Sequence, residues 1–215
     1  IGLVSGDLRQ HPVGYFLESA LLELSRQHGH ALSWVAYHNV DNEDALSARL
    51  KPLCEQWHTV SSWSDQRLAR QIHSDAVDIL IDLAGHTTYN RLSVFAWRAA
   101  PVQLSWLGYF ATTGIAEMDH LLADPHTVPP EHEAHFTETI WRLPDTRMCF
   151  TPPREVVPVS ALPALASGHI TFGCFNHLGK INDTVIATWS RILHRVPEDD
   201  KVAVVGQGRG YGCAE

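Results

Sequence analysis

The apolar residues of this chain come in short runs separated by stretches of helical periodicity, and that alternation restricts the fold more than any other feature. The strand-like runs are Ile1–Val4, Leu32–Ala36, Thr59–Val60, Val77–Leu83 and Val102–Trp106. Helical patterns fall between them at about 13–28, 42–50, 65–74 and 89–98. In the first, Phe16, Leu17, Ala20, Leu21 and Leu24 recur at the spacing of one helix face. Such alternation predicts a parallel sheet with helices on both faces. The stretch VDILIDLAG is apolar apart from two aspartates and reads as a central strand. Pro12 suits the first turn of a helix, where its missing N–H costs nothing.

The pattern breaks near residue 150. TPPREVVPVSALPALASG, residues 151–168, carries four prolines in 18 residues, too many for a helix interior. It reads as a Pro-rich linker after a first lobe of residues 1–150. The alternation then restarts within 169–215, with a strand at HITFGCF, a helix at about 182–195 and a strand at KVAVV. A chain of 215 residues with 45% hydrophobic content supplies one sizeable core and part of a second. The abrupt start inside a strand-like run reads as a fragment, and no internal repeat is visible.

Several functional classes drop out. The net charge is -8 without a Lys/Arg cluster, which argues against a nucleic-acid surface. No apolar run approaches the ~20 residues needed to span a bilayer, so no membrane partner is expected. Cys54, Cys149, Cys174 and Cys213 show no paired spacing and read as reduced thiols of a cytoplasmic protein. HEAH places His132 and His135 at i, i+3, whereas a zincin helix needs i, i+4. VVGQGRGYG has glycines at 206, 208, 210 and 212 and lacks the third glycine of the dinucleotide fingerprint.

Ligands of open α/β sheets bind beyond the carboxyl ends of the strands. Four polar, glycine-bearing loops fall there. SGDLRQHP brings Asp7 and His11; GHTTYNR brings His86, Thr87 and Arg91; LGYFATTG brings Gly108, Thr112, Thr113 and Gly114; NHLGK brings Asn176, His177 and Lys180. Each has a plainer reading alone: His11 as a helix cap, Arg91 and Lys180 as solvated charges, Thr112-Thr113-Gly114 as an ordinary turn. Their recurrence at corresponding strand ends is what marks them as candidates.

SGDLRQHPVGYF, DLAGHTTYNR, AAPVQLSWLGYFATTGIAEMDHLLAD and FGCFNHLGKINDTVIATWSRIL resemble the catalytic region of the O-linked N-acetylglucosamine transferases, above all bacterial members, and SPINDLY-like proteins share these motifs. The resemblance covers most of residues 1–195. It implies an α/β fold of the GT-B type, with a Rossmann-like parallel sheet lobe followed by the beginning of a second Rossmann-like lobe. It implies an inverting glycosyltransferase that moves N-acetylglucosamine from UDP-GlcNAc to Ser/Thr hydroxyls of an acceptor protein, with tetratricopeptide repeats in the full-length protein. By position, His11 aligns with the family's proposed active-site histidine and Asp7 with a proposed base. Leu107, Gly108 and Tyr109 align with backbone contacts to the sugar nucleotide, Thr87 with a sugar-pocket threonine and Lys180 with the lysine that binds the diphosphate. Phe110 stands where many relatives have proline, Thr88 where animal members have lysine, and His177 and Gly179 where animal members have glutamine and tyrosine.

With Lys180 and helix N-termini to neutralise the leaving diphosphate, no metal and no further cofactor is expected. A base near the acceptor would take the hydroxyl proton or orient the hydroxyl, and an imidazole suits that task near neutral pH; a donor phosphate oxygen is the other candidate. The alternatives are a protein O-fucosyltransferase of the SPINDLY type using GDP-fucose, a nucleotide-sugar epimerase of the same architecture, and a non-catalytic interaction domain. An NAD-dependent oxidoreductase is disfavoured by the missing glycine fingerprint after the first strand.

Overall fold

The computed structural model describes residues 1–29, 31–152, 158–176, 178–196 and 201–204. Strands β1 (Gly2–Ser5), β2 (Val35–His38), β3 (Gln56–Thr59), β4 (Ile79–Asp82), β5 (Val102–Ser105), β6 (His120–Ala123) and β7 (Thr139–Arg142) form one sheet in the order β3-β2-β1-β4-β5-β6-β7. Every pairing in it is parallel. The order reverses between β1 and β4: the chain first builds outward through β2 and β3, then crosses β1 and builds the other way.

Side chains on successive strand residues leave on opposite faces, which gives the sheet two cores. Leu3 and Ala36 pack with Val13, Leu17 and Leu21 of helix α1 (Pro12–His28) and with Leu46 and Leu50 of α2 (Ala45–Leu50). Val4, Tyr37 and Leu80 pack with Leu68, Ala69 and Ile72 of α3 (Asp65–Ser74) and with Val94 and Phe95 of α4 (Leu92–Phe95). Central β1 and β2 are buried throughout, as a doubly covered parallel sheet requires. The expected α/β architecture with a parallel sheet is what the chain adopts.

Helix starts follow capping chemistry. Asp44 accepts from the Leu46 and Ser47 amides, and the Ser47 hydroxyl accepts in return from the Asp44 amide, a capping box. Ser64 caps α3 through the Arg67 amide. Two helices differ from the sequence reading. The helix expected at 42–50 begins only after Asp44. The helix expected at 89–98 is a single turn, because Tyr89 (φ 63°) and Arg98 (φ 51°) are both left-handed. Strand β3 begins at Gln56, earlier than Thr59, because an edge strand of mixed polarity carries no apolar signature. Strands β6 and β7 had no counterpart in the sequence reading.

By contact, the chain divides into two compact units, Ile1–Pro153 and Arg154–Glu215. In the second, β8 (Thr171–Cys174) and β9 (Lys201–Val204) pair in parallel, and α6 (Asp183–Leu193) lies between them in sequence. The Pro-rich stretch is not wholly extended: Pro163 occupies the first turn of a short helix, α5 (Pro163–Ser167), which Gly168 ends at φ 76°. Residues 153–157 of that stretch, His177 and the tail 205–215 lie outside the described residues.

Phe95 is fully buried between α4 and the sheet. Phe95→Ala should lower the unfolding free energy by about 3–5 kcal/mol. Leu22→Ala, on the exposed side of α1, should change it by less than about 0.5 kcal/mol. Urea denaturation of the two variants checks both values.

Candidate functional site

The reversal between β1 and β4 places the β1, β4 and β5 loops side by side at the carboxyl edge of the sheet, where open α/β sheets form a crevice. The first of these is the turn into α1. The Asp7 amide donates to Ser5 Oγ at 2.9 Å, and its buried carboxylate faces Arg9 Nη2 at 3.4 Å and His11 Nδ1 at 3.6 Å. Arg9 also donates to the Gly6 carbonyl at 3.2 Å. His11 caps α1: its Nδ1 accepts from the Val13 amide at 3.3 Å. Burial lowers the His11 pKa, the Asp7 carboxylate works against that, and the Arg9 charge works with it.

The β4 loop is built around Asp82. This fully buried carboxylate accepts from the Ala84 amide at 3.1 Å, the Gly85 amide at 2.8 Å and Ser105 Oγ of β5 at 2.8 Å. Burial pushes its pKa up, and the three hydrogen bonds pull the other way. Thr87 Oγ1 donates to the Ala84 carbonyl at 2.9 Å, so this hydroxyl first serves the loop itself. Tyr89 closes the loop against β1, where a Cβ on Gly6 would meet Tyr89 Cβ at 2.7 Å.

The β5 loop holds backbone strain. Leu107 is buried at φ 79°, and the Gly108 amide donates across it to the Trp106 carbonyl at 3.0 Å. This is a γ-turn of the rarer, strained hand. Only glycine fits at 108, because a Cβ there would collide with the Leu83 carbonyl and stand 2.8 Å from Ala84 Cα. Beyond the turn, Tyr109 meets His86 edge-on at 5.7 Å and stacks on Phe110 at 4.8 Å. Phe110 is 66% exposed. The following Thr112 and Thr113 are held by Glu138, which accepts from both hydroxyls and from the Thr113 amide at 2.6 Å. Burial opposes the ionised Glu138, but those hydrogen bonds outweigh it and lower the pKa.

The structure therefore brings Asp7, His11, Thr87, Leu107, Gly108, Tyr109 and Phe110 to one edge of the first unit. Arg91 arrives there differently. Its Nε and Nη2 engage Asp65, Nη1 donates to Asn39 Oδ1 and the Val60 carbonyl, and Nη2 donates to the Trp63 carbonyl. It ties together the loops after β2, β3 and β4, and its donors are consumed within the protein. In the second unit, Gly179 and Lys180 are exposed in a 3-10 turn (Leu178–Lys180) beyond β8, just before Asn182 caps α6 through the Val185 amide. His132 and His135 stack at 5.6 Å in another 3-10 turn, Pro130–His135. Among the described residues no three His, Cys, Asp or Glu side chains cluster as a ligand set.

Three supporting residues escaped the sequence reading. Asp82 had left a trace as an acid inside an apolar strand. Glu138 and Arg147 had left none, because both act across distant loops. Arg147 is buried; it donates to the Leu107 carbonyl at 3.4 Å, and its own carbonyl accepts from Trp106 Nε1 at 2.9 Å. An open hollow of about 670 Å³, lined by Arg9, Asn39, Asn42, Tyr89 and Arg91 among others, was also not foreseen.

The family model for glycosyl transferase family 41 matches residues 1–151. A Petunia hybrida protein named probable UDP-N-acetylglucosamine–peptide N-acetylglucosaminyltransferase SPINDLY is 37% identical over 99% of this chain and 23% of its own length. The protein of the same name from Arabidopsis thaliana is 37% identical over 92% of this chain and 22% of its length. Its Arabidopsis counterpart named SEC is 29% identical over 92% of this chain and 21% of its length. A solved mutant O-GlcNAc transferase from Thermobaculum terrenum superimposes with a TM-score of 0.82 at 36% identity, covering 96% of this chain and 38% of that one. The chain thus spans about a fifth of the length of these curated relatives. Its fold is α/β of the GT-B type.

Arg91→Met should lower stability by roughly 2–3 kcal/mol, the low side of a broken buried ion pair because Asp65 is partly exposed. Arg91→Lys should lose nearly as much, since one ammonium cannot serve acceptors placed around a planar fork. Chemical denaturation reads both. Unchanged stability in Arg91→Lys would show that the internal bonds of the guanidinium do not hold these loops together.

Proposed function

We propose, since this chain belongs to glycosyl transferase family 41, that it forms part of a protein O-GlcNAc transferase, an inverting enzyme acting with UDP-GlcNAc on Ser/Thr hydroxyls. The observation that carries the reading is that the Asp7–His11 turn and the strained Leu107–Tyr109 turn follow β1 and β5, the two strands that flank β4, at one edge of a parallel sheet beside its switch point. Two reactive side chains and a backbone held in a sparsely populated conformation thus lie on the edge where such folds bind ligands.

The reaction joins the acceptor hydroxyl oxygen to the anomeric carbon of the sugar as the bond from that carbon to the diphosphate oxygen breaks. The bonding pair leaves with UDP, and the hydroxyl proton goes to a base. His11 is the group proposed to act here, taking the proton or supplying a hydrogen bond. Asp7 lies behind it and sets its surroundings. The Leu107, Gly108 and Tyr109 backbone, with Thr87 nearby, is proposed to hold the sugar nucleotide, and exposed Phe110 to line its edge. Lys180, ahead of the α6 N-terminus, is proposed to carry the charge that grows on the diphosphate, with no metal required. Gly179, beside it, is proposed to lie against the sugar nucleotide. Tetratricopeptide repeats elsewhere in the full protein are proposed to present the acceptor. Among the described residues no helix is long and apolar enough to cross a membrane.

The test uses the full-length enzyme containing this segment, an acceptor peptide, and UDP-GlcNAc and GDP-fucose in parallel. UDP-GlcNAc should support transfer and GDP-fucose should not; the reverse would make the protein a fucosyltransferase. Lys180→Ala should lower kcat by roughly 100-fold or more. An effect confined to KM would limit Lys180 to uniform binding.

A further inference from the structure

Arg147 is buried without being fully used. Only 6% of it is exposed, yet its Nε has no hydrogen-bond partner among the described residues. Its Nη1 donates to the Leu107 carbonyl at 3.4 Å, beyond the ordinary range for such bonds. Burial pulls its pKa below the usual arginine value, and the Asp124 charge opposes this. Asp124 does not depend on the guanidinium in return. Its carboxylate accepts from the Thr127 amide at 2.7 Å, the His126 amide at 3.0 Å, the Thr127 hydroxyl at 3.0 Å and Arg147's own backbone amide at 2.8 Å. All four bonds survive without an arginine side chain. A cation placed in this way weakens a fold, so its presence calls for another explanation.

What Arg147 reaches is strained backbone. Leu107 is held at φ 79°, and a side-chain-bearing residue stays there only where its surroundings keep it there. Residue 147 grips the turn at two points. The guanidinium takes the Leu107 carbonyl, and the Arg147 carbonyl accepts from Trp106 Nε1 at 2.9 Å. Its amide is anchored on Asp124, just beyond β6. The segment after β7 is thereby clamped onto the turn after β5.

We propose that Arg147 is a positioning residue for the sugar-nucleotide donor: it holds the Leu107–Tyr109 turn in the shape that receives a nucleoside diphosphate, and the fold is less stable for keeping it. This rests on the reading above, in which that turn holds the donor. Arg147 acts through the turn and not on the reacting atoms. Its removal therefore affects stability and binding with opposite signs. Arg147→Met takes away an under-used buried charge, keeps much of the side-chain volume and lets Leu107 relax, so the protein should be no less stable. The relaxed turn should receive the donor less well.

The test uses the full-length enzyme, with UDP as the probe. Calorimetric titration should give a Kd for UDP about tenfold higher in Arg147→Met, a loss of about 1.4 kcal/mol. The KM for UDP-GlcNAc should rise with it, while the KM for the acceptor peptide and kcat at saturating donor stay within about threefold of wild type. The melting midpoint of the ligand-free enzyme should stay level or rise. Arg147→Lys keeps an N–H donor for the Leu107 carbonyl on a shorter reach and should recover part of the lost affinity.

Unchanged UDP affinity in Arg147→Met would overturn the proposal. So would a midpoint lowered by more than about 4 °C, which is what a structural brace alone predicts. An equal rise in both KM values, or a lysine variant that binds UDP no better than the methionine one, would overturn it too. A wild-type enzyme that does not bind UDP would defeat the functional reading instead. The midpoint comparison needs no nucleotide, and it still decides whether Arg147 is kept against the stability of the fold.

Discussion

The site depends on one buried carboxylate. Asp82 ends the central strand β4 without contact with solvent, and burying an acid there is unfavourable unless its oxygens are fully used. Both are. Oδ1 takes the Ala84 amide, and Oδ2 takes the Gly85 amide and the Ser105 hydroxyl of the neighbouring strand. The carboxylate thus acts as a cap for a loop, and it ties the ends of β4 and β5 together. Everything beyond those strands inherits that geometry. Gly85 is turned to φ 58° with Tyr109 pressed against it, and Gly108 lies over the Leu83 carbonyl. Two loops that touch this closely cannot be adjusted separately, which is how a strained γ-turn at Leu107 persists.

The same logic shows why part of the fold was legible in sequence and part was not. Doubly covered central strands must be apolar, so β1, β2, β4 and β5 announced themselves, as did α1 and α3 through their periodic faces. Edge strands owe their position to neighbours. Gln56 and His58 of β3, and Thr139 and Arg142 of β7, carry no pattern that separates them from a loop. The short α4 was misjudged for a related reason: its ends are set by left-handed Tyr89 and Arg98, conformations that no local preference of those residues predicts.

At the site, the sequence displayed the loops but not the use each side chain is put to. A loop rich in polar residues looks equally reactive whether its groups face a ligand or each other. Arg91 illustrates this. It sits in the expected loop, yet its guanidinium is spent on Asp65, Asn39 and two carbonyls. Glu138 is the converse, a residue far along the chain that holds Thr112 and Thr113 in place. Such long-range partners leave no trace in local spacing.

A division of labour follows from where the cations go. At the carboxyl edge of the first unit three arginines are engaged by the protein itself: Arg9 by Gly6 and Asp7, Arg91 by its four partners, Arg147 by the Leu107 carbonyl. These charges stiffen the loops, and stiff loops aim backbone groups and a histidine well. Of the three, Arg9 stays partly exposed, beside the open hollow. The first unit thus invests its positive charge in rigidity, while in the second unit Lys180 is exposed ahead of the Asn182 cap of α6.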